Sequence, residues 1–191
     1  MGWFSPVKGE YPGLSQVDKT LPVGVDKENK AIERGYILTI ASDSVTGDNA
    51  SGDGVWNLAK SDSDTFYVAL AGYTDPTSGF AGTAFVPNPT EGSPARPAIS
   101  AIDLDQDGEY ETSVYDTEGT YDLGDKLTVS NGKLAPAGGS GDEKIVGIVT
   151  RAPTNRWINN AIATPEGVTD PRLATRTGAT MAVLRFKTAK A

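Results

Sequence analysis

The sequence predicts an all-β fold, a sandwich or barrel with long loops and an extended N-terminal arm, and three observations carry the prediction. Gly and Pro are dense, 22 and 12 in 191 residues, so the chain turns often and long helices are disfavoured. β-branched and aromatic residues gather into short runs bounded by turn-forming clusters, the pattern of strands. A helical turn or two is suggested only by Arg156 to Ala163 (RWINNAIA), stopped by Pro165.

Residues 1–34 are broken at Pro6, Pro12, Gly13, Pro22 and Gly24 and show no sustained period of two or 3.6. They read as an extended arm. Trp3, Phe4, Tyr11, Leu14 and Leu21 recur through it, more apolar content than a disordered tail holds, so the arm is expected to lie on a surface, its own or a neighbour's.

Gly35 to Ala41 (GYILTIA) is the first clear strand, ended by the turn-rich stretch Ser42 to Gly54. Val55 to Ala59 and Thr65 to Ala71 read as a strand pair around Lys60 to Asp64. Residues 72–97, rich in Gly, Pro, Thr and Ser, read as a long excursion. Ala98 to Ile102 and Tyr110 to Tyr115 read as a hairpin across an acidic turn. Lys126 to Val129 and Lys133 to Ala135 flank Asn131-Gly132, the strongest hairpin signal in the chain, because that pair accepts positive φ at both central positions. Glu143 to Thr150 reads as a buried strand and Ala182 to Lys187 as a closing one. The expected organisation is an arm over 1–34 and one β-rich domain over 35–191, with 72–97 and 151–181 as insertions.

Composition narrows the chemistry. The chain has no Cys and no His, which removes zinc sites, disulfides and a Ser-His-Asp relay. Only the amino terminus titrates near neutral pH without a perturbed environment, so the expectation is a non-enzyme. The start, MGWFSPVKGEYPG, lacks the basic and apolar regions of a signal peptide, and no apolar run reaches the ~20 residues that span a bilayer. A soluble protein made in the cytoplasm, with no membrane partner, is expected.

Charge is uneven. Residues 1–150 carry 10 basic and 23 acidic side chains, residues 151–191 carry 7 and 2, and the total is −8. Nucleic acid is therefore not an expected partner. The basic segment, Arg151, Arg156, Arg172, Arg176, Arg185, Lys187 and Lys190, reads either as solvated strand-edge charge or as a face for an acidic partner or neighbouring copy.

Three motifs bear on binding. Asp103, Asp105 and Asp107 stand at alternate positions before Gly108, the opening of a calcium loop, in which hard oxygen ligands on a tight turn converge on one cation. Val114 stands where the bidentate Glu would be and the flanks are strands, so an EF-hand is excluded. A β-turn calcium site, with Glu109 or Glu111 as a further ligand, stands beside a solvated acidic tip. Gly138-Gly-Ser-Gly141 lacks the Lys-Ser/Thr and helix start of a phosphate loop. Trp56 and Trp157 are core plugs or, on a carbohydrate-binding module, stacking platforms.

The run Tyr121-Asp-Leu-Gly-Asp-Lys-Leu-Thr-Val-Ser-Asn-Gly-Lys-Leu-Ala-Pro136, followed by Lys144-Ile-Val-Gly-Ile-Val-Thr150, resembles the head decoration, or capsid cement, proteins of tailed bacteriophages. Gly124-Asp125, Asn131-Gly132, Leu134, Pro136 and Gly147 occupy the places of that family's G-D-x-L, G-x-L, P and V-G-I-V pattern. The resemblance covers mainly 121–150, with a looser echo in 30–41. It implies a small β-tulip or barrel in which this run builds adjacent strands. It further implies attachment to the outside of an icosahedral shell, cementing of neighbouring major capsid protein subunits, self-association as a homotrimer or homodimer, and no catalytic residues. A carbohydrate-binding or host-adhesion β-module is the rival from another class.

Overall fold

The computed structural model describes residues 4–8, 19–24, 31–44, 51–70, 73–74, 98–104, 108–157, 162–163, 175–176 and 180–189. Among them there are strands and turns and no helix. The strands, in chain order, are β1 (Phe4–Lys8), β2 (Lys19–Pro22), β3 (Ala31–Ile32), β4 (Ile37–Ala41), β5 (Val55–Leu58), β6 (Tyr67–Ala69), β7 (Tyr73–Thr74), β8 (Ala98–Asp103), β9 (Glu109–Thr112), β10 (Lys126–Ser130), β11 (Lys133–Pro136), β12 (Gly147–Trp157), β13 (Ile162–Ala163), β14 (Thr175–Arg176) and β15 (Thr180–Thr188).

Two larger antiparallel sheets form a sandwich-like body. One has six strands in the order β1-β9-β15-β12-β10-β11, the other five in the order β2-β8-β6-β4-β5. Short pairs, β3-β7 and β13-β14, lie outside them. The five-stranded sheet curls until its ends meet at one point without becoming a continuously bonded barrel. Val23 bridges Trp56 in parallel and the Gly24 N–H donates to the Trp56 carbonyl at 2.8 Å, bringing the chain after β2 to β5. In the six-stranded sheet the chain after β9 reaches the β11 edge: Tyr115 bridges Leu134 in parallel, and the Asp116 N–H donates to the Leu134 carbonyl at 2.7 Å.

The alternation of strand side chains divides the core in two. Leu38 of β4, Trp56 and Leu58 of β5, Ala69 of β6 and Ile99 and Ala101 of β8 cluster with Leu21 and Val23 on one face of the five-stranded sheet. Its other face sends Ile37, Val68 and Ile102 into a larger cluster with Phe4, Tyr110, Leu127, Val129, Leu134, Val149, Leu184 and Phe186 of the six-stranded sheet. That shared cluster is the interface between the sheets.

The β10-β11 hairpin forms as its Asn-Gly signal predicts: Asn131 has φ 46° and Gly132 φ 75°, the left-handed pair of a tight primed turn. This turn also joins the sheets. The Gly132 N–H donates to the Ala59 carbonyl and the Ile37 N–H to the Gly132 carbonyl, both at 2.8 Å. A Cβ at Gly132 would fall 2.7 Å from Leu58 and 2.9 Å from Tyr36, so the close approach itself requires glycine.

Three expectations are corrected. β8 and β9 are not a hairpin: β8 pairs with β2 and β6, β9 with β1 and β15, so the acidic connection crosses from one sheet to the other. Alternation identifies a strand but not its partner. β5 and β6 do not pair either; both flank β4, because the residues between them are enough to step over one intervening strand. The helical turn over 156–163 is absent from its described part, since Arg156 and Trp157 end β12 and Ile162 and Ala163 form β13. Pairing with β15 overrides the weak local preference. Within residues 1–34, β1 lies beside β9 and β2 beside β8 on the edges of the two larger sheets, and β3 pairs with β7 outside them. Edge positions tolerate Pro6 and Pro22, which have no N–H to donate.

Candidate interaction surface

β15 reads TMAVLRFKT, an apolar strand with Arg185 set into it. Leu184 and Phe186 face the shared core, so Arg185 points to the opposite face of the six-stranded sheet. There it meets Glu111, its partner in the β9-β15 register. Arg185 donates to Glu111 Oε1 from Nε at 2.9 Å and from Nη2 at 2.7 Å, and Arg151 donates to the same oxygen from Nη2. The Glu111 side chain is 2% exposed, those of Arg151 and Arg185 33% and 25%. Burial, helped by the neighbouring Arg185 charge, pulls the Arg151 guanidinium below its ordinary pKa, while Glu109 opposes the shift. A carboxylate held this deeply needs both cations, because an unpaired buried charge is costly.

The inverse arrangement lies along the same sheet. Leu123 and Ile148, 77% and 40% exposed, are the exposed large apolar side chains among the described residues. The turn carrying Leu123 is fastened to β12 beside Ile148: Gly124 N–H donates to the Val149 carbonyl at 2.9 Å and Val149 N–H to the Asp125 carbonyl at 2.8 Å. The Asp122 N–H donates to Asp125 Oδ2 at 2.7 Å, which holds the turn shut. Ile148 pairs with Lys126 on one side and Lys187 on the other, and both lysines are exposed, as is Asp122. Leu123 and Ile148 are thus exposed on two segments joined by backbone hydrogen bonds, with Asp122 next to Leu123 in sequence and Lys126 and Lys187 beside Ile148 in register.

The residues singled out from the sequence fall in several places. Phe4 and Leu21, read as arm residues for a surface, are each 4% exposed and belong to the chain's own two core clusters. Phe4 stacks on Tyr110 with ring centroids 5.0 Å apart. Trp3, Tyr11 and Leu14 lie outside the described residues. Asp103 ends β8, paired with Tyr67; Asp105 and Asp107 lie outside the described residues, so the calcium turn is not laid out. Its suggested additional ligands are engaged elsewhere: Glu109 accepts from Thr150 Oγ1 at 2.7 Å, and Glu111 is held by two arginines. Among the described residues no group of three or more His, Cys, Asp or Glu comes together to hold a metal.

Of the basic segment, Arg151 and Arg185 are engaged internally, so they do not offer an open face to an acidic partner. Trp56 is fully buried and donates from Nε1 to the Ile99 carbonyl at 2.7 Å. It is a core plug, as its position in a strand suggests, and not a stacking platform. The Gly138–Gly141 loop is closed by its own carboxylate, Glu143 Oε2 accepting from the Gly139 N–H at 3.2 Å. A shallow, open concavity lies between Ile40–Asp43 and Ser51–Gly54, where the Ser51 N–H donates to Asp43 Oδ2 at 2.7 Å.

Sequence reasoning missed the Glu111 triad and the exposure of Leu123 and Ile148. Glu109 and Glu111 alternate with Tyr110 and Thr112, which reads as a solvent face; the available signal was the lone Arg185 within an apolar strand. Ile148 sits in a run read as wholly buried, and only the pleat turns it outward.

Compared with protein-family models, with curated proteins and with solved structures, the chain matches none.

Proposed function

We propose that this is a structural virion protein that binds the outer surface of an icosahedral phage capsid and cements adjacent major capsid protein subunits. One observation carries the reading. The run Tyr121 to Thr150, on which the resemblance rests, folds as neighbouring strands, with β10 between β11 and β12, and that unit presents Leu123 and Ile148 outward. The function needs no catalytic group and no cofactor: many copies on a repeating shell turn modest contacts into firm attachment. The carbohydrate-binding alternative loses one of its two stacking candidates, since Trp56 is sealed in the core.

Co-sedimentation and heat rupture of undecorated shells, with and without added protein, test the proposal. Bound protein should raise the rupture temperature, because a ligand of the intact lattice stabilises it by mass action. Equal rupture temperatures with no co-sedimentation overturn it, and specific signals on a glycan array would promote the adhesion module instead.

A further inference from the structure

We infer that Asn131 is a modification site gated by the joint between the sheets: its side-chain amide is lost, with formation of an isoaspartyl linkage, only when that joint opens. The inference goes beyond the capsid reading and does not depend on it. Asn131-Gly132 is the one Asn-Gly pair in the chain, and a following Gly hinders the reaction least, because it has no Cβ to obstruct attack by its own nitrogen. The Gly132 nitrogen loses its proton and bonds to Asn131 Cγ, the Cγ–Nδ2 bond breaks, and Nδ2 leaves as ammonia carrying the displaced proton. Water then opens the cyclic imide. Attack at Cγ gives aspartate; attack at the main-chain carbonyl of residue 131 gives isoaspartate, in which the backbone runs through Cβ and Cγ and gains one carbon.

The fold separates the two reacting groups. Asn131 is exposed, so the electrophile stands in water, whereas Gly132 is buried. The Gly132 N–H donates to the Ala59 carbonyl at 2.8 Å, the Ala59 N–H to the Ile37 carbonyl at 3.0 Å, and the Ile37 N–H back to the Gly132 carbonyl at 2.8 Å. Three residues from three segments thus close a cycle of backbone hydrogen bonds, walled by the Leu58 and Tyr36 side chains where a Gly132 Cβ would stand. Taking the Gly132 proton breaks the cycle inside the joint, where an unpaired backbone group is costly. The reactive form is therefore reached through local opening, the same event that exposes an amide to hydrogen exchange. The product makes that opening one-way. Asn131 and Gly132, with φ of 46° and 75°, fill a two-residue turn, and an added backbone carbon in so short a loop moves Gly132 out of register with Ala59 and Ile37.

The test is incubation of the full-length chain in mildly alkaline buffer, natively and in urea above its unfolding midpoint, with mass mapping of the tryptic peptide Leu127 to Lys133. Conversion at residue 131 should be at least about tenfold slower in the native protein, equivalent to ~1.4 kcal/mol of opening. The slowing should equal the protection of the Gly132 amide against hydrogen exchange, because one opening governs both. Isoaspartyl protein recovered from urea and refolded should show unprotected Gly132 and Ile37 amides and a lowered Tm, whereas Asn131→Asp, which keeps the turn, should retain both the protection and the Tm. Equal rates in the two conditions, a Gly132 amide that exchanges freely while Asn131 persists, or an isoaspartyl chain that regains full protection each overturns the inference.

Discussion

The two sheets treat burial in opposite ways. The five-stranded sheet curls around an apolar interior with Trp56 at its centre, and that residue's one polar atom is satisfied by the Ile99 carbonyl. Its pattern follows the ordinary rule of apolar inside. The six-stranded sheet shares an equally apolar core on one face, but on the other it buries Glu111 and leaves Ile148 in solvent. A buried charge and an exposed large apolar group are the informative departures from the rule. Here both fall on one sheet, which teaches where to look for an interaction surface: the five-stranded sheet is scaffold, and the outward face of the six-stranded sheet carries the features that folding alone does not require.

Removing the plug should have the largest effect. Trp56→Ala leaves a cavity inside the five-stranded sheet and removes the indole donor to the Ile99 carbonyl, and should cost about 3–5 kcal/mol in denaturant unfolding. A loss below 1 kcal/mol would mean that the interior collapses around the gap and that the scaffold role is misassigned. Next comes the joint between the sheets. Gly132→Ala drives a methyl into Leu58 and Tyr36 at a left-handed position, an expected cost of about 2–4 kcal/mol from overpacking and backbone strain together. Glu111→Gln keeps the shape and one acceptor while removing the carboxylate that two guanidinium groups share, with Glu109 still acting on Arg151. Both arginines are partly open to water, so the expected loss is about 1–3 kcal/mol, smaller than for a fully buried pair. If Glu111→Gln is neutral, the buried charge is not what holds β9, β12 and β15 in register.

A smaller effect appears in base. Tyr121 is buried, donates from its hydroxyl to the Asp116 carbonyl at 2.7 Å and meets Tyr115 edge-on. Burial, with help from the Asp116 and Tyr115 charges, pushes its phenol well above the ordinary 10.0. Burial alone raises Tyr115, and burial with Glu33 raises Tyr36. A group whose folded pKa is raised contributes stability that is fully present below its unfolded pKa and lost above it. Stability should therefore hold up to about pH 10 and fall as pH climbs further, less steeply in Tyr121→Phe than in wild type. Identical alkaline slopes for the two proteins would contradict the assignment. Smallest of all is Lys144→Ala, which breaks the exposed pair with Asp64: no resolvable change in Tm is expected, because such pairs are screened by solvent.

How much of this was legible in the chain differs from element to element. The β10-β11 hairpin could be read to the residue, because a two-residue primed turn has local chemistry that Asn131 and Gly132 alone satisfy. The strands β4, β8, β12 and β15 could be read from β-branched runs, although β12 extends past its predicted end to Trp157 because β15 lies beside it. Strand partners could not. The misreading of β8 and β9 as a hairpin has the same origin as the misreading of β5 and β6: alternation is a property of one strand, while pairing is decided by which faces must be buried together. The surface at Leu123 and Ile148 was half legible, in that its segment was singled out and its exposed residues were not.

By itself the sequence determined that the chain is all-β, that it has no thiol or imidazole chemistry, and that one tight turn sits at Asn131-Gly132; each of these is a matter of composition or of a few adjacent residues. Only the tertiary structure decided that Phe4 and Leu21 belong to the chain's own core, that Trp56 faces inward, that Arg151 and Arg185 converge on one buried carboxylate, and that Leu123 and Ile148 are left outside. Those outcomes depend on residues far apart in sequence, Glu111 meeting Arg185 across the β9-β15 register. No local pattern specifies that juxtaposition, because it is the joint burial of two sheets that selects it.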